Sequence, residues 1–248
     1  MANWNDPQPP RTGFGASPSL NGAAIGRSGA VDQGLRRHML SIYNYMASGI
    51  LLSGVVALLF ASSGMALQVM SSPLRWVIAL APLGFVMAMS FGVQRMQTST
   101  LQILFWAFSV VQGLALSAIF LIYTGPSIAT TFFATAASFA ALSLVGYTTK
   151  RDLSAMGSFM IMGLVGILVA MVLNMFLQSS GLALAISILG VLIFAGLTAW
   201  DTQRLKNDYY QVAGTEWAGK VVIMGALQLY LDFINMFMFL LRFMGDRR

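Results

Sequence analysis

A chain of 248 residues that is 57% hydrophobic and only 9% charged is far from the roughly one-quarter charged content of a soluble domain, and it reads as an all-α polytopic membrane protein. With no cysteine, disulfides, thiolate nucleophiles, zinc knuckles and iron–sulfur ligation are excluded, and neither a metal set nor a cofactor is expected. The net charge of +6 is spread over short loops beside apolar runs rather than gathered in one patch, so it reports orientation in a lipid bilayer and not a nucleic-acid partner.

Residues 1–36 are rich in Gly, Pro, Ser and Asn and carry no apolar run, which predicts a disordered cytoplasmic tail ahead of a membrane domain over 37–248. Arg36-Arg37-His38 abuts the first span, where basic residues anchor a helix end on the cytoplasmic side. His38, the only histidine, is expected at the membrane interface. Seven segments approach the ~20 apolar residues needed to cross ~30 Å of hydrocarbon: 39–61, 76–94, 101–123, 128–148, 157–177, 182–200 and 221–241. Arg75 alone falls between the first two spans, Arg95 in the next connection, then none, then Lys150 and Arg151, then none, then Arg204, Lys206 and Lys220, an alternation that predicts an inside amino terminus. The uncharged turns Tyr123–Ser127 and Gln178–Gly181 then face outward. Arg242, Arg247 and Arg248 dissent from this count. A re-entrant seventh segment on a six-span fold is the alternative, although 21 residues suffice for a crossing.

Small residues recur where helices touch closely: Ser48, Gly49 and Ser53, then Gly113 and Ser117, Gly163 and Gly166, and Gly190 and Gly196. Gln112 and Asn174 are expected to hydrogen-bond between helices.

The last segment, Gly225–Gly245, places an acid inside a membrane-length run. Gln228, Asp232, Asn235 and Arg242 are spaced by four, three and seven residues, so on a helix they form one polar seam on an apolar rod. A carboxyl group facing lipid tails costs several kcal/mol, so the seam turns inward and marks function. For Gln228 and Asn235 helix–helix contact is explanation enough; for Asp232 it is weaker, because an amide would make the same hydrogen bonds without the charge. A second acid, Asp201, closes the sixth span in Leu197–Arg204. In an antiparallel hairpin, residues equidistant from the turn share a depth, and the midpoint of 201 and 232 falls in Val212–Gly219, with its two glycines and Thr215 as an N-cap. Asp201 and Asp232 are therefore level if both helices run on past the membrane; by spacing alone, Asp201 as a plain surface acid remains equally open.

The run Leu229–Asn235 with Phe239–Arg242, the Trp200-Asp201 step and Lys150–Ser154 together resemble the Bax inhibitor family of transmembrane proteins, in its bacterial branch, from about residue 36 to the end. The resemblance implies seven transmembrane helices with the last central and the other six around it in two three-helix layers. It implies a paired-aspartate pH sensor at Asp201 and Asp232, a calcium or other cation leak, and an arginine latch for which Arg95 is the candidate. A bacterial inner-membrane location is implied, as is a membrane-anchored quality-control protease as a partner. The chain departs from the bacterial pattern in having one Arg95 where a basic cluster is expected and a longer connection between the acids, with Tyr209, Tyr210 and Trp217.

Three functions compete on these residues: a pH-sensitive cation leak, a regulator that binds a membrane protease or other membrane partner without transport, and an intramembrane aspartyl protease. The protease needs glycines beside its second acid to admit a peptide backbone, and Asp232 is flanked by Tyr230, Leu231 and Phe233. The chain is not expected to be an enzyme.

Overall fold

The computed structural model describes the backbone of residues 20–248 and the side chains from residue 33 onward. Nine helices follow one another among these residues: α1 (Leu20–Ser62), α2 (Met65–Met70), α3 (Leu74–Gly92), α4 (Thr98–Leu116), α5 (Ile119–Ile122), α6 (Gly125–Thr148), α7 (Ser154–Leu177), α8 (Ser180–Val212) and α9 (Trp217–Met244). Seven spans are long and apolar enough to cross a membrane: α1, α3, α6, α7, α8, α9 and the continuous pair α4–α5. Nothing but helix is expected of such segments, because lipid offers the backbone no hydrogen-bond partners.

The tail expected over 1–36 lies outside the described residues as far as residue 19, and from Leu20 the chain is already helical. Pro18 is the last proline before Pro73, so after it no residue withholds an N–H from a helix. Helix α8 likewise runs three turns beyond the expected end at residue 200, to Val212.

Helix α9 is the axis. In its most apolar stretch 61% of residues are buried, against 39% or less in every other span. It packs against α8, α1, α6 and α4, while α3 lies on α4 and α7 on α8. Two layers result, α1/α3/α4 and α6/α7/α8, with α3 and α7 at their outer edges. Apolar burial does not drive this association, since lipid tails solvate Leu and Phe as well as protein does; close approach and polar contacts do. A Cβ on Gly113 would meet the Ser53 carbonyl at 2.7 Å, one on Gly190 would meet the Phe239 ring at 2.5 Å, and one on Gly146 would strike the Ala199 carbonyl. Of the glycines read as contact points, Gly166 is the exception and faces open space.

Helix α9 crosses the whole bundle. At its start Lys220 Nζ donates to the carbonyls of Val93 (3.0 Å) and Gln94 (3.4 Å) in the α3–α4 turn. At its end Asp246 N–H donates to Ser127 Oγ (2.9 Å) and Arg248 N–H to the Ile122 carbonyl (3.0 Å). The two ends of one unbroken helix thus meet the two ends of α4–α5, which rules out the re-entrant arrangement.

The α8–α9 turn centres on Gly214, whose φ of +79° is open to glycine at no steric cost. Thr215 Oγ1 accepts from Trp217 N–H (3.2 Å) in the turn, but the N-cap position of α9 is held by Glu216 rather than the expected Thr215.

Candidate functional site

The register of the α8–α9 hairpin brings Asp201 and Asp232 to one level. Their carboxyl groups abut, and both residues are buried, at 2% and 4% exposure. Asp232 Oδ2 has no hydrogen-bond partner among the described residues, whereas Asp201 Oδ1 accepts from Gln228 Nε2 at 2.6 Å. Two carboxyl groups in contact away from water satisfy one another when they hold a proton between them, and repel when both are ionised.

From the pair a polar ladder leads toward the hairpin turn. Arg204 Nη2 donates to Gln228 Oε1 (2.9 Å), Arg204 Nη1 lies 3.8 Å from Asp201 Oδ1, and Arg204 Nε lies 3.9 Å from Asp208. The Arg204 side chain is 44% exposed and its guanidinium rests 5.3 Å from the Trp200 ring centre. Asp232, Asp201, Gln228, Arg204 and Asp208 therefore form a graded path from buried to wet.

In the opposite direction the helices close. Phe194 of α8 stacks on Phe239 of α9 with centroids 5.9 Å apart and planes at 26°, and Gly190 admits the same ring. Two residues before Asp232, the Tyr230 hydroxyl shares a 2.6 Å hydrogen bond with Ser53 Oγ, which also donates to the Ser109 carbonyl at 2.6 Å. That knot joins α1, α4 and α9. On the other flank Thr202 donates to Ser143 Oγ of α6 (3.2 Å), so polar contacts on both sides hold the helices around the pair.

The other expected site residues are placed differently. Arg95 is exposed in the α3–α4 turn and forms no ion pair with either acid; the cation that reaches Asp201 is Arg204. Asn235 donates to the Leu231 carbonyl of its own helix (2.8 Å). Arg242 is exposed at the far end of α9, 5.8 Å from the Phe239 ring centre, and lines a 540 Å³ cavity with Arg247 and Asn174. The seam is one face but not one network, because ten residues of helix separate Asp232 from Arg242 by ~15 Å. Asn174 does not bridge helices either; its Oδ1 accepts from Ser179 N–H at the end of α7. His38 is buried within the protein, with its ring 5.3 Å from that of Tyr209, since the extension of α8 covers it. Arg204 was legible as the i+3 neighbour of Asp201; Ser53 was legible as a small contact residue, but nothing in the sequence marked its hydrogen bond to Tyr230.

Residues 35–248, which include both acids and every span, match the sequence profile of the family described as inhibitor of apoptosis-promoting Bax1. The chain belongs to the Bax inhibitor family. It is 48% identical to an uncharacterised protein of Rickettsia prowazekii over 88% of this chain and 92% of that one. It is 43% identical to the Escherichia coli inner membrane protein YbhL over 87% of this chain and 94% of that one. A Caulobacter vibrioides relative is 44% identical over 88% and 92%. As a Bax inhibitor family member with seven helices long and apolar enough to span a membrane, the chain is an integral membrane protein.

Proposed function

We propose that this membrane protein is a pH-sensitive cation leak, with calcium as the expected permeant ion, gated by the coupled carboxyl pair of Asp201 and Asp232. The observation that carries the reading is the abutment of two buried carboxyl groups on the central helix and its neighbour. Membrane helices keep such groups where protons or ions are handled. One shared proton holds α8 to α9. Its loss sets two like charges side by side, and at ~4 Å such charges repel by about 4 kcal/mol at an effective dielectric of 20. A membrane hydrogen bond contributes only about 0.6 to 2 kcal/mol, so one ionisation step outweighs any single polar contact of the hairpin. A second proton instead neutralises Asp201 and frees Arg204. Either step separates the helices at the Phe194–Phe239 stack.

Proton access follows the ladder through Gln228, Arg204 and Asp208. The latch role implied for Arg95 passes to Arg204, the cation that lies beside the pair. No catalysis is included, because Tyr230 and Phe233 are packed at 0% and 3% exposure and leave no space for a peptide backbone beside Asp232.

The amino terminus faces the cytoplasm in this reading, since Arg95, Lys150, Arg151, Arg204, Lys206 and Lys220 share the α8–α9 turn end. The likeness to the inner membrane protein YbhL supports a location in a bacterial inner membrane. Ion flux from liposomes containing the purified chain, measured against pH with calcium, sodium and potassium in turn, tests the proposal. A pH-dependent calcium flux is expected. Absence of flux for all three ions would leave a regulator of a membrane protease or other membrane partner, without transport.

A further inference from the structure

Helices α1 and α6 both pack on α9 but scarcely on each other. Between them lies an apolar groove of 820 Å³ with Phe233 of α9 as its floor. Its lips, Leu40, Leu51 and Leu144, are 48%, 70% and 62% exposed, so the groove opens sideways toward the acyl chains. Its polar atoms gather at one end. Arg36 stands at that mouth with Tyr147, and Lys206 Nζ is bound to the Tyr147 carbonyl at 2.8 Å and lies over its ring. We infer that this groove is a binding site for one anionic phospholipid, with an acyl chain laid between α1 and α6 and the headgroup phosphate held by Arg36 and Lys206.

Length and charge choose this occupant. From Arg36 to Leu51 the groove follows 15 residues of α1, about 22 Å, which fits one leaflet of ~15 Å of hydrocarbon plus a headgroup. A partner protein's transmembrane helix would need a groove twice that deep. Arg36 at the polar mouth, with Lys206 behind the lining residue Tyr147, selects a phosphate-bearing headgroup of net negative charge, as basic pockets between transmembrane helices do. The site also adjoins the acids: Phe233 follows Asp232 in the chain, and the lining residue Ser143 bonds Thr202, which follows Asp201.

The test uses the full chain in vesicles of mixed phosphatidylcholine and phosphatidylglycerol, with a trace of phosphatidylglycerol bearing a photoactivatable acyl chain. Adducts are mapped by mass spectrometry. They are expected to concentrate on residues 39–51 and 132–144, several-fold above α7, which is the most lipid-exposed span and serves as the internal reference. Unlabelled phosphatidylglycerol should compete and phosphatidylcholine should not. Ala140→Trp, which fills the groove, should remove the excess while α7 stays labelled; Ala47→Phe on the opposite wall does the same if that variant fails to fold. Arg36→Gln should lower the preference for phosphatidylglycerol about fivefold, the effect of one basic residue at a membrane surface. Labelling of α1 and α6 no greater than that of α7, an excess that survives both filling variants, or equal competition by phosphatidylcholine overturns the inference.

Discussion

Helices α7 and α9 are both apolar and membrane-length, yet 6% of the apolar stretch of α7 is buried against 61% of that of α9. The more apolar helix is the outer one. Ser154–Leu177 contains no charged residue, whereas Trp217–Met244 contains Lys220, Asp232 and Arg242 as well as Gln228 and Asn235. In water the more apolar of two helices goes inside; in a bilayer, lipid solvates α7 as well as protein would, and the polar groups of α9 are what cannot face lipid. Polarity and not hydrophobicity therefore decides which helix becomes the axis of this fold.

The sharpest way to break that comparison is through glycines. Gly190 of α8 lies against the Phe239 ring of α9, while Gly166 of α7 has nothing within 4 Å of its would-be side chain. Gly190→Leu should therefore destabilise the protein by about 1–3 kcal/mol, the usual cost of overpacking. Gly166→Leu should stay within ~0.5 kcal/mol, as surface substitutions do. Thermal unfolding in detergent micelles measures both. Equal effects at the two glycines would show that α9 is no more tightly held than α7.

Polar contacts give the next largest difference. Tyr230→Phe removes the hydroxyl that joins α9 to Ser53 of α1 and should cost about 1 kcal/mol. Asn174→Leu on α7, where the amide only receives the N–H of Ser179 at the helix end, should cost less in the same unfolding measurement.

The seven spans were legible because length and apolarity are enough to define them; the level of the two acids was only half legible, because the midpoint in Val212–Gly219 allows it while spacing alone leaves Asp201 equally open as a surface acid. Other features were not legible, for physical reasons. The spacing of Asn235 and Arg242 puts them on one face with Asp232 but says nothing of distance along the axis, so the seam divides into separate contacts. Arg36 and Arg37 mark His38 as a helix-end residue but say nothing of what covers it; the extension of α8 to Val212 brings Tyr209 over it. Arg95 was carried over by resemblance, whereas Arg204 lies one helical turn from Asp201, a spacing readable without a structure.

The smallest expected effect is at the start of α7. The Ser154 hydroxyl and then the Ser154 N–H, at 2.6 and 2.9 Å, hold the Asp152 carboxyl below its ordinary value of 3.8. A depressed folded-state value contributes stability that is present above the unfolded value and lost as pH falls through the folded one. Asp152→Ala should therefore narrow its gap to the parent protein as pH drops below about 4, a minor change because the group is fully exposed to solvent. Matched unfolding scans of parent and variant read that gap directly.

Asp232→Asn gives the most direct measurement of whether the axis helix carries function as well as structure. It keeps the shape, offers an amide N–H to Asp201 and removes the titration. Calcium flux from liposomes should then lose its pH dependence while the variant still folds. Asp201→Asn should do the same, and the double variant should add little, because two halves of one coupled pair are not additive. A flux-versus-pH curve for Asp232→Asn that superimposes on the parent curve would contradict the gating role and leave the polar seam as helix–helix adhesion alone.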